Sequence, residues 1–94
     1  MKIADIKPGM NNVTVTGRIV NIGEKKLVTT RFGDAYVAQA LLEDHTGKII
    51  LNLWRGQIEM VKIGDIVTVE NGFVGGFKKQ LELNVGSKGR IMKM

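Results

Sequence analysis

Asp44-His45-Thr46-Gly47-Lys48-Ile49-Ile50-Leu51-Asn52-Leu53-Trp54 is the stretch whose reading decides the fold. Its first four residues are turn formers, and the rest have the apolar character of a strand. Successive side chains on a strand point to opposite faces. Ile49, Leu51 and Leu53 therefore share one apolar face, while Ile50, Asn52 and Trp54 share the other. A tryptophan beside an asparagine marks that second face as lying outside the core. The tight turn requires an antiparallel partner strand just before it, and residues 35–43 supply one.

Working outward, Val13 to Val20 alternates as a half-buried strand, and Gly17 within it predicts a bend that lets one long strand serve two sheets. Residues 23–34 read as a polar connection whose middle, residues 27–30, can extend as a strand arm. After Trp54, Gln57 to Val61 is long enough for one or two helical turns. Lys62-Ile63-Gly64-Asp65 then turns the chain into a fourth strand, Ile66 to Asn71. Asn71 to Lys79 reads as a glycine-rich loop. Past it, Leu81, Leu83 and Val85 point inward and Gln80, Glu82 and Asn84 outward. Gly86 to Gly89 closes that strand, and Ile91-Met92 adds a short last one or docks.

Five short strands with one short helix between the third and fourth predict an all-β chain, a five-stranded Greek-key OB-fold barrel forming one domain over residues 1–94. An SH3-like barrel fits less well, because the long first strand with its internal glycine and the segment after Trp54 are OB-like.

The net charge of +5, from 14 Lys and Arg against 9 Asp and Glu, favours a polyanionic partner. The chain has no cysteine, so it has no disulfide and no thiolate site. Its one histidine, His45, sits in a turn without a second metal ligand, and Glu43 and Asp44 diverge along a strand. These features predict a protein that is not an enzyme and needs no cofactor or metal. With no signal peptide and no apolar run of membrane-spanning length, the expected location is cytoplasmic, associated with the nucleoid, with no membrane partner.

The loop carries the chemistry. Phe73 and Phe77 lie among glycines and are followed by Lys78 and Lys79, so flat π-faces stand beside positive charge. Single-stranded nucleic acid uses that combination: bases stack on the rings and phosphates meet the ammonium groups. Adjacent strand residues face opposite ways, so one of the two lysines is expected to reach the ligand.

Several segments in order resemble the archaeal single-stranded DNA-binding proteins related to replication protein A. These are Lys7-Pro8-Gly9-Met10-Asn11-Asn12-Val13, Asp44-His45-Thr46-Gly47-Lys48 with Leu51-Asn52-Leu53-Trp54, and Gly64-Asp65 leading to Val69-Glu70-Asn71-Gly72-Phe73. Phe77-Lys78 and Leu83-Asn84-Val85-Gly86-Ser87-Lys88 complete the set. The resemblance covers nearly the whole chain and is weakest over residues 23–34. It implies that the ligand crosses the face of the second and third barrel strands. It also implies that Trp54, Phe73 and Phe77 are the stacking rings, and that Val28 makes an apolar contact with Thr30 and Arg31 beside it. Where the family often has tryptophan, Phe73 offers a smaller ring. The glycine-rich, acidic-ended tail of some members is missing, which implies a minimal member or one OB domain of a larger replication protein A.

Asn52, Gln80 and Asn84 are candidates for hydrogen bonds to base edges or ribose, or else form a solvated strand face. Arg18, Arg31, Arg55 and Lys88 are candidates for phosphate contact or ordinary surface charges. Phe32 and Tyr36 are expected to pack. The expected function is sequence-tolerant binding of single-stranded DNA in replication and repair, alongside other replication or repair proteins or neighbouring OB domains. The alternatives are an RNA-binding OB domain and a protein-interaction OB domain.

Overall fold

The computed structural model describes residues 1–77 and 79–94, with the Phe77 side chain also outside the description. A short 3₁₀ turn, Ile3–Asp5, precedes β1 (Val13–Ile22), β2 (Lys26–Thr30), β3 (Gly33–Asp44) and β4 (Gly47–Trp54). The helix α1 (Gln57–Met60) leads to β5 (Ile66–Phe77), β6 (Gln80–Asn84) and β7 (Arg90–Lys93).

Five of these strands close a ring. β1 pairs with β3, β3 with β4, β4 with β6, β6 with β5, and β5 returns to β1. Every pairing in the ring is antiparallel except β4 with β6. This is the OB-fold, and its second and third barrel strands are β3 and β4. The other two strands are additions: β2 folds back on β3 as an arm, and β7 pairs with β5.

Gly17 lies where the ring turns its corner. β1 pairs with β5 up to Arg18 and with β3 from Arg18 onward, so one strand serves both sides. A Cβ at position 17 would stand 2.7 Å from the Glu43 carbonyl oxygen. Only glycine lets the two backbones approach that closely.

The core follows the parity of the strands. Val13, Val15 and Ile19 from β1 meet Leu51 and Leu53 from β4 and Leu83 from β6, all essentially inaccessible to solvent. Ile3 and Ile6 join the same core from the amino-terminal segment, and Val61 from the segment after α1.

The turn between β3 and β4 is built on Asp44. Its Oδ1 accepts from the Thr46 and Gly47 amides at 2.7 and 3.1 Å, and its Oδ2 accepts from the Ile3 amide at 2.9 Å. Partial burial pushes this carboxyl's pKa up. The hydrogen bonds from the Thr46 hydroxyl and from the Ile3, Thr46 and Gly47 amides outweigh that and hold it at about 2.

One expectation of the sequence fails here. The run Asn71 to Phe77 is not a loop, because β5 continues through it and pairs with β6 from Phe73↔Asn84 to Phe77↔Gln80. The glycines permit close contact within the ladder: a Cβ on Gly72 would lie 2.9 Å from Leu83 Cδ1 and 3.0 Å from the Asn84 carbonyl. Three glycines in six residues resemble a turn in sequence, yet here they relieve crowding in a closing barrel.

Candidate nucleic-acid interface

A groove of three connected clefts runs from the outer faces of β3, β4 and β6 past Phe73 of β5 to the segments before β1 and after β6. The first, about 310 Å³, is lined by Gly23, Lys26, Gln39, Asn52, Trp54 and Glu82 among others. The second, about 480 Å³, runs between Thr30, Phe32, Arg55 and Asn84, with Trp54 and Phe73 also in its wall. The third, about 500 Å³, lies over Asn11, Asn12, Asn71 and Lys88. Trp54 is common to the first and second clefts, and Phe73 to the second and third. Two aromatic side chains thus partition the groove.

Both rings are held by their surroundings. The Trp54 indole Nε1 donates to Asn84 Oδ1 at 3.2 Å, and its backbone N–H donates to Gln57 Oε1 at 3.0 Å. Gln57 in turn donates from Nε2 to the Val85 carbonyl at 3.3 Å, which ties the start of α1 to the end of β6. Phe73 is 44% exposed, and Gly86 sits against it: a Cβ there would lie 3.3 Å from Phe73 Cε1. A larger residue would push the ring.

Asn52 and Asn84 are on the outer face, as the alternation requires, but they are not a solvated strand surface. They are 7% and 9% exposed. Asn52 Nδ2 donates to Glu82 Oε1 at 2.8 Å and to Asn84 Oδ1 at 3.1 Å. Buried polar side chains need such partners, and this network spans the parallel β4–β6 pairing.

The non-glycine residues with left-handed backbones among the described residues are Asn12, Arg55 and Asn71, at φ 56°, 53° and 53°. All three line this groove. Asparagine adopts this conformation readily, so Arg55 is the position where the surrounding structure has to enforce it.

The β2–β3 arm forms one wall. Thr30 reaches the second cleft, but its hydroxyl is occupied within the arm, donating to the Gly33 carbonyl at 2.6 Å and accepting from the Phe32 amide at 3.1 Å. That pair of bonds shapes the hairpin tip that presents Arg31 and Phe32. Phe32 is 84% exposed and Tyr36 48%, so the expectation that both pack is overturned. The arm is a two-stranded ribbon where β3 runs beyond its pairing with β4; Ala35 is 4% exposed on one face, while Phe32 and Tyr36 are left open to solvent. Lys25 lies over Tyr36, its Nζ 5.1 Å from the ring centroid. Val28 is partly buried on β2 opposite Ala35. The exposure of Phe32 was missed from the sequence; its place beside Gly33 in a hairpin tip was the available signal.

Other predicted residues fall elsewhere. Arg18 lies with Glu43, Asp44, His45 and Ile66 in a separate cleft. Lys79 and Gln80 line another with Lys48, Leu41 and Ile50. Arg55 and Lys88 do line the groove. Lys78 and the Phe77 side chain lie outside the described residues. The ion pairs among the described residues are Lys48–Glu43, Arg90–Glu70 and Lys93–Asp65, so Lys26, Arg31, Arg55 and Lys88 have no carboxylate partner in that set.

The sequence and its fold have known counterparts. The chain is 36% identical over 90 residues to the single-stranded DNA binding protein Ssb of Saccharolobus solfataricus, an alignment covering 96% of this chain and 61% of that protein. It is 32% identical to the replication factor A of Methanothermobacter thermautotrophicus, covering 98% of this chain and 12% of that protein. Among solved structures, the OB domain of a Thermoplasma acidophilum protein superposes with a TM-score of 0.85 at 30% identity, covering 100% of this chain and 85% of that one. The second OB-fold domain of replication protein A from Methanococcus maripaludis gives 0.80 at 28% identity, covering 100% and 93%. Residues 6–93 match the model of a family described as single-stranded DNA binding protein Ssb-like, OB fold, and the chain belongs to that family.

Proposed function

We propose that this protein binds single-stranded DNA with little regard to sequence, in replication and repair, by threading bases past Trp54 and Phe73. The observation that carries this reading is the groove divided by two rings. A base standing on either face of such a ring is stacked without being read. Stacking contributes about 1–3 kcal/mol per base. Phosphates run along the rim, where Lys26, Arg31, Arg55 and Lys88 offer charge that no described carboxylate already neutralises. Each phosphate contact steepens the salt dependence by about 0.7. The two contributions together make a micromolar Kd attainable, near −8 kcal/mol. Duplex DNA binds poorly because its bases are already stacked on one another. A footprint of about 4–6 nucleotides suits a groove of this extent. The relatives named Ssb and replication factor A support the same reading.

Trp54 is the single tryptophan and therefore reports the site directly. Titration with oligo-dT at low salt should quench its fluorescence. An unchanged emission spectrum would refute the stacking mechanism.

A further inference from the structure

We infer that Glu82 makes the first cleft of the groove a base-edge reader that prefers bases bearing an exocyclic amino group, cytosine in particular, over thymine. This rests on the single-stranded DNA reading above and adds a preference at one position to it.

The donors and acceptors on the cleft floor are determined step by step. The Trp54 indole can only donate, so the Asn84 atom facing it at 3.2 Å is the carbonyl Oδ1. Asn52 bridges that same Oδ1 and Glu82 Oε1, both acceptors, and must present its amide nitrogen to them. Reversing the Asn52 amide would set its oxygen against two others. In the required orientation Asn52 Oδ1 is left buried without any donor, on a residue only 7% exposed. Glu82, partly exposed, has one oxygen engaged by Asn52; its other oxygen meets no donor among the described residues, and no described cation pairs with it. The floor beside Trp54 thus offers a free carboxylate oxygen and is negatively charged.

A phosphate is repelled from such a floor, so the DNA backbone stays on the rim toward Lys26 and a base edge turns down to Glu82. That edge must donate. Cytosine brings its N4 amino group, the usual partner of a glutamate, and adenine its N6 amino group. Thymine brings carbonyl oxygens on both sides of its single ring N–H, which a carboxylate disfavours. Hydrogen bonds to charged groups are among the stronger ones, so the free Glu82 oxygen is the atom that selects the edge. Cytosine and thymine have rings of one size, so comparing them separates edge reading from stacking.

The test is Trp54 quenching in the full chain by oligo-dC and oligo-dT of one length at one salt concentration, repeated with Glu82→Gln. The wild type should bind oligo-dC about tenfold more tightly. Glutamine keeps an oxygen for Asn52 and adds a donor, so the variant should lose most of that preference. A dC/dT ratio that is the same in both proteins overturns the inference. Oligomers of N4,N4-dimethylcytosine, which has no amino donor, test the point on the unaltered protein: they should lose the advantage, and keeping it would also overturn the inference. Quenching by no oligonucleotide at all would instead refute the single-stranded DNA reading itself.

Discussion

Asn84→Ala removes the atom on which the groove's polar network converges. Asn84 Oδ1 accepts from both Trp54 Nε1 and Asn52 Nδ2. Asn52 keeps its bond to Glu82, but its second N–H is stranded inside a residue 7% exposed. Stranding a buried donor costs about 1–3 kcal/mol. The indole N–H borders an open cleft and can turn to water, so its loss is nearer the net value of one hydrogen bond, about 1 kcal/mol. A destabilisation of about 2–4 kcal/mol follows, which for a chain of this size lowers Tm by about 10–25 °C. Thermal unfolding followed by circular dichroism measures it. Repeating the substitution in a Trp54→Phe background isolates the indole bond, because phenylalanine has no N–H to lose, and Asn84→Ala should then cost about 1 kcal/mol less. A Tm within about 3 °C of wild type would show that water replaces Asn84 without loss. The network would then not be what orients the tryptophan.

Phe32→Ala should leave Tm within about 3 °C, since the ring is 84% exposed, yet weaken oligo-dT binding about five- to tenfold, because it lines the second cleft; unchanged affinity would remove Phe32 from the site. Lys88→Ala should reduce the salt slope of binding by about 0.7 while Arg18→Ala leaves it unchanged, since only Lys88 lines the groove. Equal slopes for the two variants would relocate the phosphate path. The Asp44 carboxyl titrates at about 2 in the folded chain against 3.8 ordinarily, so its contribution to stability is full above the ordinary value and lost as pH falls toward 2. The stability gap between wild type and Asp44→Asn should close over that window; a gap that persists at pH 2 would mean that the charge is not what holds the turn.

The barrel was legible because its signals are local. The turn Asp44–Gly47 and the parity of Ile49, Leu51 and Leu53 place β4 and its inner face from sequence alone, and the same parity places Trp54 outside the core. The burial of Asn52 and Asn84 was not legible. It depends on a rung between strands about thirty positions apart and on Trp54 lying across it, neither of which leaves a periodic trace. Phe32 and Tyr36 were misread for the opposite reason: hydrophobicity signals burial only where a second layer exists, and the arm has one on its Ala35 face but none over Phe32 and Tyr36. Gly72, Gly75 and Gly76 look like a loop because a strand seldom gathers glycines, whereas here close packing against β6 requires Gly72 and Gly76, the latter also by its positive φ, and Gly75 stays within the ladder. Arg18 and Lys79 resembled Lys88 because charge count carries no direction.

The parallel pairing of β4 with β6 has a consequence for how the molecule assembles. Antiparallel neighbours joined by a short turn, such as β3 with β4 and β5 with β6, zip up locally, but this seam joins hairpins distant in the chain. Closing it carries the larger loop-entropy cost, and contacts of that range form late in folding. Asn52 and Trp54 lie on one side of the seam, Glu82 and Asn84 on the other. The groove therefore does not exist until the ring is shut, and in the binding mode proposed above a strand of DNA lying across it would act as a clasp. At a hundred times its Kd, such a ligand adds about 2.7 kcal/mol to the folded state.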